Sequence, residues 1–369
     1  MRVLQIFAEP FSDGGQESFV MNMYNNIDRN NVQFDFFTPY YCDNLKMKEK
    51  IENLGGKVFI QGRAFDTKKR KKFFIEELQK FLQNNNYEIV HIHSGSVFAL
   101  AYGARIAKKN GVKNIIVHSH CTGINSLKYK VIKAISEKIF LSNATHYLAC
   151  SKDAAAWKFP TKIMEENQYT VIKNGIELEK FSYNVDIRNE YRKNLNIGKE
   201  DFVIGHVGRF ETQKNHNFLV EIFEEVSSRE TNAKLLLVGT GSLKDEIINK
   251  IKEKNMKDKV IMLENRNDVN KILQATDIFV FPSLFEGLGI VAIEAQAAGL
   301  QTICSENIPE EADVTTLFHK LDIGMGKDKW AEKILEYKKY DRKNTIEEIR
   351  NKGYDAQKSA KALEYIYNN

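Results

Sequence analysis

The sequence predicts an α/β protein built from two doubly wound domains, each a parallel sheet with helices on both faces. Its 369 residues exceed the size at which one hydrophobic core usually stops growing. Short apolar runs rich in β-branched residues alternate with helical patterns. The alternation restarts after a polar stretch at residues 174–200. Hydrophobic residues make up 43% of the chain and charged residues 28%, which excludes disordered, collagen-like and coiled-coil classes.

The apolar runs define two series of predicted strands. The first series is 3–8, 33–37, 57–60, 88–93, 114–119, 145–150 and 169–173. The second series is 202–208, 234–239, 259–263, 277–283 and 301–305. Helical spacing is clearest at 15–27, 73–85, 216–228, 243–254 and 290–299. We therefore predict domains at 1–175 and 176–353, with a final helix at 354–369 that joins the first domain.

The charge balance excludes a dedicated nucleic-acid binder. Fifty-four Lys and Arg residues against 49 Asp and Glu residues give a net charge of +5, which is mild for this length. If clustered, this charge suits an anionic small molecule or an anionic membrane surface. No stretch is apolar enough to span a membrane. The cysteines have no zinc-type spacing, and we expect reduced thiols and a cytoplasmic protein; they are Cys42, Cys121, Cys150 and Cys304.

The segment after the predicted strand 277–283 carries the strongest functional pattern. Open parallel sheets bind ligands at the carboxyl ends of their strands. Here the chain reads SLFEGLGIVAIEAQAAGL, with Glu286 in a turn and Glu294 in the following helix. Gly287 and Gly289 let the backbone approach a ligand, and the N–H groups of the helix start suit a phosphate. Carboxylates near a phosphate are unfavourable unless they accept hydrogen bonds from hydroxyl groups. A sugar nucleotide offers such hydroxyl groups on its ribose and on its sugar ring. The alternative is a solvated Glu286 and a Glu294 favoured by the helix dipole alone.

Two basic residues follow another strand of the same predicted sheet. The segment RFETQKNH places Arg209 and Lys214 just beyond the strand 202–208. Two fixed cations neutralise a departing nucleoside diphosphate, although each also fits a solvated surface position. Gly239, at the end of the next predicted strand, is a weaker candidate because glycine is common at such turns. Because both basic residues and the two glutamates follow strands of one sheet, a phosphate site is favoured.

The first domain offers a glycine pair and histidines at strand ends. Gly14 and Gly15 precede a helix, which suits a phosphate or sugar at close range, although the segment is not G-x-G-x-x-G and also fits a plain turn. His118 ends the strand 114–119, where it faces a ligand or is a structural histidine. The histidines that together suggest a metal site are His91, His93, His118 and His120. No carboxylate or thiol lies near them in sequence, and we expect no metal.

Together these segments resemble the retaining glycosyltransferases of family 4, which have the GT-B fold. FPSLFEGLGIVAIEAQAAGL resembles the family's E-x7-E signature, and GHVGRFETQKNH resembles its arginine-to-lysine diphosphate clamp. VIKNGIELEKF resembles the interdomain segment, LACS the strand before it, and DGGQES the glycine-rich first loop. The resemblance covers nearly the whole chain in the expected order. It departs at Gly289 and Gln301, where proline is common, and at Glu177, where aspartate is commoner.

The resemblance implies two parallel sheets that face a central cleft and an enzyme that transfers a sugar with retention of configuration. The donor would be a nucleoside diphosphate sugar, with uridine the expected base and guanosine next, and no cofactor or metal is implied. The acceptor would be a glycan or lipid-linked oligosaccharide of capsular or exopolysaccharide synthesis. The implied residues are Glu294 for the ribose, Glu286 for the transferred sugar, Arg209, Lys214, Leu288 and Gly289 for the diphosphate, His118 for the donor sugar, and Gly14, Gly15, Gly239 and Gly287 for close backbone approach.

Two other functions fit parts of the sequence. A GT-B epimerase that acts on a sugar nucleotide would need no acceptor, and a catalytically silent paralogue would bind a partner transferase. The joint presence of Glu286, Glu294, Arg209, Lys214 and His118 argues against the silent paralogue.

A basic and apolar segment predicts contact with an anionic membrane. Residues 128–141 read KYKVIKAISEKIFL and place Lys128, Lys130, Lys133 and Lys138 among apolar residues at helical spacing. A second basic run, KKRKK, spans 68–72. Each basic residue near an anionic leaflet contributes about 1 kcal/mol, so these segments favour a peripheral position at the inner face of the plasma membrane. Two solvated cationic faces are the alternative.

Overall fold

The chain forms two compact units. The computed structural model describes residues 1–12, 14–121, 127–264 and 266–369, with the backbone alone for residues 127 and 128. One unit comprises Met1–Gly175 with Ala356–Asn369, and the other comprises Ile176–Asp355. Each unit contains one parallel sheet, and all strand pairs described are parallel. The predicted fold class is therefore confirmed.

The first unit is built on a sheet with the strand order β3-β2-β1-β4-β5-β6-β7. Its strands are β1 (Arg2–Phe7), β2 (Gln33–Thr38), β3 (Val58–Ile60), β4 (Ile89–His93), β5 (Asn114–Ser119), β6 (His146–Ala149) and β7 (Thr170–Val171). Its helices are α1 (Gly15–Asn26), α2 (Leu45–Asn53), α3 (Arg70–Asn84), α4 (Val97–Lys109), α5 (Leu127–Asn143), α6 (Lys152–Lys158) and α7 (Thr161–Glu165). Successive side chains of β1 enter different buried clusters, since Leu4 and Ile6 pack in one and Val3 and Phe7 in another. Burial on both faces explains the near-continuous apolar strands.

The second unit repeats this design with the strand order β10-β9-β8-β11-β12-β13. Its strands are β8 (Phe202–Val207), β9 (Ala233–Val238), β10 (Val260–Leu263), β11 (Ile278–Phe281), β12 (Gln301–Ser305) and β13 (Phe318–Leu321). Its helices are α8 (Leu178–Phe181), α9 (Val185–Asn194), α10 (His216–Arg229), α11 (Lys244–Glu253), α12 (Val269–Ala275), α13 (Ile290–Ala297), α14 (Gly326–Glu336) and α15 (Ile346–Asn351). The core includes Trp330, which is fully buried beside α10.

The last helix, α16 (Ala356–Asn368), belongs to the first unit. Ala360, Leu363 and Tyr367 lie in the same buried cluster as residues of α1 and β2. Ser359 Oγ also donates a hydrogen bond to the backbone oxygen of Lys173 at 3.1 Å. The end of the chain thus completes the covering of the first sheet.

The polar stretch at 174–200 contains two helices that apolar periodicity did not reveal. The Asn184 side chain caps α9 by accepting hydrogen bonds from two backbone amides. Arg188 and Arg192 of α9 pair with Asp277 at 2.5 and 3.2 Å. Because polar contacts hold this helix, its sequence lacks a regular apolar stripe. The short edge strand β13 was missed because only one of its four residues is buried.

Each sheet has one point where the strand order reverses. In the first unit this point lies between β1 and β4, and in the second between β8 and β11. Chain segments that leave two such strands move to opposite sides of the sheet and open a crevice at the carboxyl ends. The fold therefore selects the segments after these four strands as the places to examine for ligand binding.

Candidate functional site

The segments after β8 and β11 are joined by direct hydrogen bonds. The Leu284 backbone amide donates to the backbone oxygen of Gln213 at 2.8 Å. Gln213 Nε2 donates to the backbone oxygen of Phe285 at 2.9 Å. Asn215, which has a left-handed backbone with φ of 56°, donates from Nδ2 to the backbone oxygen of Pro282 at 3.1 Å. These hydrogen bonds therefore hold the basic segment after β8 against the segment after β11 that carries Glu286, the first glutamate of the E-x7-E pattern.

Lys214 and Glu286 form an ion pair at the centre of this site. Lys214 Nζ lies 2.6 Å from Glu286 Oε1, and the two side chains are only 15% and 8% exposed. Nζ also lies 4.8 Å from the ring centroid of Phe281, at the end of β11. Removal of either charge would leave its partner poorly solvated. Lys214, which is predicted to bind the diphosphate, and Glu286, which is predicted to bind the sugar, are thus paired with each other.

Arg209 differs from Lys214 because its side chain is exposed. Its guanidinium makes no ion pair or hydrogen bond with the residues that the structure describes. It follows β8 directly, at the point where the strand order reverses. An exposed guanidinium with all its donors available can bind a phosphate in a bidentate manner.

Glu294 lies in α13, about one turn beyond the start of the helix. Its side chain is partly buried and has no hydrogen-bond partner within the described ranges. Desolvation by burial raises the pKa of this carboxyl group to about 7. A partly buried carboxyl group without a partner in the described ranges has capacity for two hydroxyl ligands.

The three predicted glycines of the second unit differ in what requires a glycine at each position. Gly289 has φ of 78°, immediately before α13, which has no side-chain cap. A Cβ at Gly287 would meet nothing within 4 Å, so that position is open. A Cβ at Gly239, where φ is 150°, would overlap the carbonyl oxygen of Gly208. Close backbone packing thus explains Gly239 without any ligand.

Two histidines and a serine that sequence reasoning did not assign to the site lie beside the ion pair. His206 Nδ1 donates to the backbone oxygen of Val280 at 2.8 Å, while its Nε2 is buried without a partner among the described residues. Both ring nitrogens of His216 are also buried without a partner among the described residues. Burial and the nearby Lys214 charge lower the pKa of His216 to about 4. Ser283 Oγ is also buried and unpartnered there. The available signal was their position near the ends of β8 and β11, since His206 lies next to the last residue of β8, Ser283 follows β11 and His216 begins α10.

Glu9 is the corresponding finding in the first unit. It follows β1, and its Oε1 accepts a hydrogen bond at 2.7 Å from Ser94, which follows β4. Its Oε2 is buried with no partner within the described part of the chain. Burial raises the pKa of Glu9, although Ser94, Lys158 and Arg70 oppose that shift. The sequence prediction placed emphasis on the glycines and missed this carboxyl group.

The predicted glycine pair begins α1. A Cβ at Gly14 would overlap the Glu17 carboxylate, whereas a Cβ at Gly15 would meet nothing within 4 Å. Because the Glu17 carboxylate is the far end of a flexible side chain, this contact does not require glycine at position 14, and Gly15 leaves open space that a ligand can use.

The histidines predicted at strand ends do come together. His118 is completely buried, while His120 is partly exposed, and their rings stack with centroids 4.1 Å apart. Ring nitrogens of His91, His93 and His118 lie within 4.8 Å of one another, close enough to consider a metal ion. These nitrogens are already occupied by hydrogen bonds, except His118 Nε2, which has no partner among the described residues.

Comparison with known proteins identifies the family. The model for "Glycosyltransferase Family 4" matches residues 13–180, and that for "Glycosyl transferases group 1" matches residues 187–353. The putative glycosyltransferase EpsF of Bacillus subtilis is 32% identical, and the alignment covers 100% of this chain and 96% of EpsF. The chain belongs to the family 4 glycosyltransferases. The predicted family is therefore confirmed.

Two further similarities bear on this glycosyltransferase. An α-1,3-galactosyltransferase of Escherichia coli, named for UDP-Gal and α-D-GlcNAc-diphosphoundecaprenol, is 28% identical over 73% of this chain and 65% of its own length. The crystal structure of Anabaena HepE in complex with UDP-glucose superposes with a TM-score of 0.65 at 15% identity, covering 99% of this chain and 94% of HepE. The second similarity confirms the GT-B fold. Within the described residues, no helix of this glycosyltransferase combines the length and apolar character needed to cross a bilayer.

Proposed function

We propose that this glycosyltransferase transfers a sugar, with retention of configuration, from a UDP-sugar to a glycan or lipid-linked oligosaccharide in capsular or exopolysaccharide synthesis. The observation that carries the proposal is the site after β8 and β11, where the Lys214–Glu286 pair joins the two segments and the exposed Arg209 follows β8. It offers positive charge for a diphosphate and a carboxylate for hydroxyl groups. The name of the E. coli galactosyltransferase supports a UDP donor and a lipid diphosphate acceptor, and the HepE complex with UDP-glucose supports UDP.

The second unit takes the nucleotide in this proposal. Arg209 and Lys214 bind the diphosphate with the amides near Leu288 and Gly289, and they stabilise the charge that forms when the sugar departs. Lys214 then exchanges part of its contact with Glu286 for a phosphate oxygen. The freed carboxylate oxygen accepts hydrogen bonds from hydroxyls of the transferred sugar.

Glu294 binds the ribose in this proposal. Its carboxyl group lies one turn inside α13 and has no partner among the described residues, so two vicinal hydroxyls can donate to it. Isothermal titration with UDP tests this role: Glu294→Gln should weaken binding, while 2′,3′-dideoxy-UDP, which lacks both hydroxyls, should bind wild type and variant alike. Equal affinity of both proteins for UDP would remove the ribose role.

The first unit supplies His118 and the acceptor side of the reaction in this proposal. His118 contacts the transferred sugar through its free ring nitrogen. Gly15, which has open space beside it, lies against the donor. The attacking hydroxyl reaches the same face of the sugar that the leaving diphosphate occupies, and configuration is retained. Proton spectra of the product's anomeric signal test retention directly.

A thermal-shift screen of nucleoside diphosphates and their sugars is the first experiment. A ligand at 100 times its dissociation constant stabilises the folded protein by about 2.7 kcal/mol. UDP and one UDP-sugar should give the largest shifts, with GDP second. Product analysis with the best donor separates transfer, which requires acceptor, from epimerisation, which does not. No shift with any nucleotide would contradict the proposal.

Charge neutralisation by the two cations also predicts catalysis without a metal. Arg209→Ala should lower turnover by about 10²–10³ while urea unfolding stays at the wild-type midpoint, since the side chain is exposed. Exposed Arg105→Ala in the first unit is a matched control. EDTA should leave the wild-type rate unchanged. Full turnover in Arg209→Ala would refute the diphosphate clamp.

We also propose that α5 rests on an anionic membrane surface. Val131, Ile135 and Leu141 of α5 are 59%, 58% and 45% exposed. Lys130 and Lys138 flank them. Lys133 is less available to a lipid headgroup because its Nζ donates a hydrogen bond to the backbone oxygen of Ala156 at 2.7 Å. The Lys128 side chain lies outside the described residues. The exposed basic run at 68–72 overlaps the start of α3, where the helix dipole makes cations unfavourable without an anion.

Liposome co-sedimentation tests the membrane proposal. Val131→Ser with Ile135→Ser should reduce binding to vesicles that contain phosphatidylglycerol, and neutral phosphatidylcholine vesicles should bind weakly throughout. Val185→Ser is the matched control, because Val185 is 54% exposed on a helix of the second unit. Binding that does not depend on anionic lipid would contradict the proposal.

A further inference from the structure

A buried series of hydrogen bonds crosses one face of the first sheet and ends at His118. The register pairs Gln5 with His91, and His93 with His118, so these side chains share a face. Tyr367 of α16 reaches the same face. The five side chains are each no more than 1% exposed. Buried polar groups of this kind must satisfy one another.

One arm runs from Gln5 to His118 through Tyr367 and His91. Gln5 Nε2 donates to Tyr367 Oη at 3.2 Å, which leaves the hydroxyl proton for His91 Nδ1 at 2.7 Å. His91 therefore carries its proton on Nε2 and donates it to His118 Nδ1 at 3.1 Å. His118 in turn holds its proton on Nε2, a buried atom without a partner among the described residues.

The other arm runs from Gln5 to His120 through His93. Gln5 Oε1 accepts a hydrogen bond from His93 Nε2 at 2.8 Å. His93 Nδ1 is then an acceptor, and it receives the proton of His120 Nε2 at 2.8 Å. His120 keeps a bare Nδ1, which has no hydrogen-bond partner in the described ranges.

Both arms require neutral rings, because a doubly protonated imidazole has no acceptor nitrogen. Desolvation supplies this condition: it lowers the pKa of His91 to about 3 and the pKa values of His93, His118 and His120 well below their ordinary value. With one proton on each ring, the orientation of the Gln5 amide decides every proton position. A reversed amide would move all four ring protons from Nε2 to Nδ1.

We propose that Gln5 and Tyr367 hold all four rings as Nε2–H tautomers, so that His118 presents an N–H donor and His120 a bare nitrogen. The inference rests on the proposed function, in which His118 contacts the transferred sugar. The donor suits an oxygen of that sugar or of its leaving group, and the bare nitrogen suits a hydroxyl group. Gln5 and Tyr367 are positioning residues, because they act only through the rings.

The proton positions are directly measurable. The full chain, labelled with ¹⁵N-histidine, gives long-range ¹H–¹⁵N spectra in which a protonated ring nitrogen and a bare one have distinct shifts. Single His→Gln variants assign the signals of the eight histidines. We expect His118 and His120 as Nε2–H tautomers in the wild type. A Nδ1–H tautomer at either ring overturns the proposal without any variant.

Tyr367→Phe separates the two arms. The variant keeps the ring packing against Phe34, whose centroid lies 5.8 Å away, but removes the hydroxyl proton. His91 and His118 should then show a mixture of tautomers, whereas His93 and His120 should remain Nε2–H. Tyr365→Phe is the matched control, because Tyr365 lies on the same helix and is 70% exposed. Unchanged tautomers at His91 and His118 in Tyr367→Phe would overturn the proposal.

Turnover distinguishes this inference from the proposed function. If His118 acts on the sugar, Tyr367→Phe should lower kcat at least about tenfold, less than the roughly 10⁴-fold loss known for an imidazole held in a wrong tautomer. Its KM for the donor should stay close to that of Tyr365→Phe. A tautomer mixture at His118 with an unchanged kcat would support the control of tautomers by Tyr367 and remove the role of His118 in transfer.

Discussion

The raised pKa of Glu294 predicts that this side chain opposes folding at neutral and alkaline pH. Its carboxyl group has a pKa of about 7 in the folded protein, raised by desolvation. The unfolded chain has the ordinary value of about 4.3. The folded state therefore binds the proton more tightly, and stability falls as pH rises from about 4.3 to about 7. Glu294→Gln replaces the group with an uncharged side chain of the same shape and should remove this dependence.

The magnitude follows from the two pKa values. Linkage gives a cost to wild type of about 1 kcal/mol at pH 5 and about 3.5 kcal/mol at pH 8. Relative to wild type, Glu294→Gln should thus gain about 2.5 kcal/mol between these pH values. With a urea dependence of about 2 kcal/mol per molar for a unit of this size, the difference in midpoints should change by about 1 M.

Urea unfolding followed by tryptophan fluorescence measures this quantity. The chain has two tryptophans, and Trp330 is fully buried in the unit that holds Glu294. A Trp157→Phe background leaves Trp330 as the only fluorophore of its kind. Exposed Glu200→Gln, in the same unit, is the control and should follow wild type at both pH values. If Glu294→Gln and wild type differ equally at pH 5 and pH 8, the raised pKa is refuted.

Three further outcomes follow from the second unit. If the ionised carboxyl group of Glu294 binds the ribose as proposed, UDP affinity of wild type, measured by calorimetry, should fall by up to about tenfold per pH unit below pH 7 relative to Glu294→Gln. Parallel pH profiles would contradict this role. Lys214→Ala should lower the free energy of unfolding by about 3 kcal/mol, since it leaves the buried Glu286 carboxylate unpaired, and adding Glu286→Gln should restore stability but not turnover. Gly239→Ala should cost about 1–3 kcal/mol in thermal unfolding, and Gly287→Ala, in open space, less than about 0.5 kcal/mol; equal losses would show that backbone packing does not require Gly239.

Apolar runs predicted the strands because each sheet is buried on both faces. The predicted strand 88–93 corresponds to Ile89–His93, and 301–305 corresponds to Gln301–Ser305. The predicted helix start near residue 290 is also confirmed at Ile290. Both strands are buried along their whole length, and burial is what the hydrophobic pattern reports. Helix α9 escaped prediction because ion pairs from Arg188 and Arg192 to Asp277, 85 residues or more away, hold it in place.

The site was predictable in position but not in its internal contacts. Strand ends located Arg209 and Lys214, because topology alone brings the segments after β8 and β11 together. The Lys214–Glu286 pair spans 72 residues, and no local pattern signals it. The same limit applies to Tyr367, whose hydroxyl group meets His91 across 276 residues. Contacts between residues that are distant in sequence depend on exact side-chain positions, which periodicity does not encode.

The two units differ in charge at their sheet edges, and this difference bears on the direction of the donor. In the first unit, burial lowers the pKa values of His118 and His120 well below their ordinary value, so these rings are uncharged near neutral pH, and burial raises the pKa of Glu9. In the second unit, Arg209 is exposed and Lys214 forms an ion pair with Glu286. A nucleoside diphosphate sugar carries its negative charge at one end and neutral hydroxyl groups at the other. In the proposed function, Coulomb attraction therefore favours the diphosphate at the second unit, whereas the neutral hydrogen-bonding groups of the first unit suit hydroxyl groups. An added charge at His118, as in His118→Lys, should consequently weaken transfer more than it weakens UDP binding.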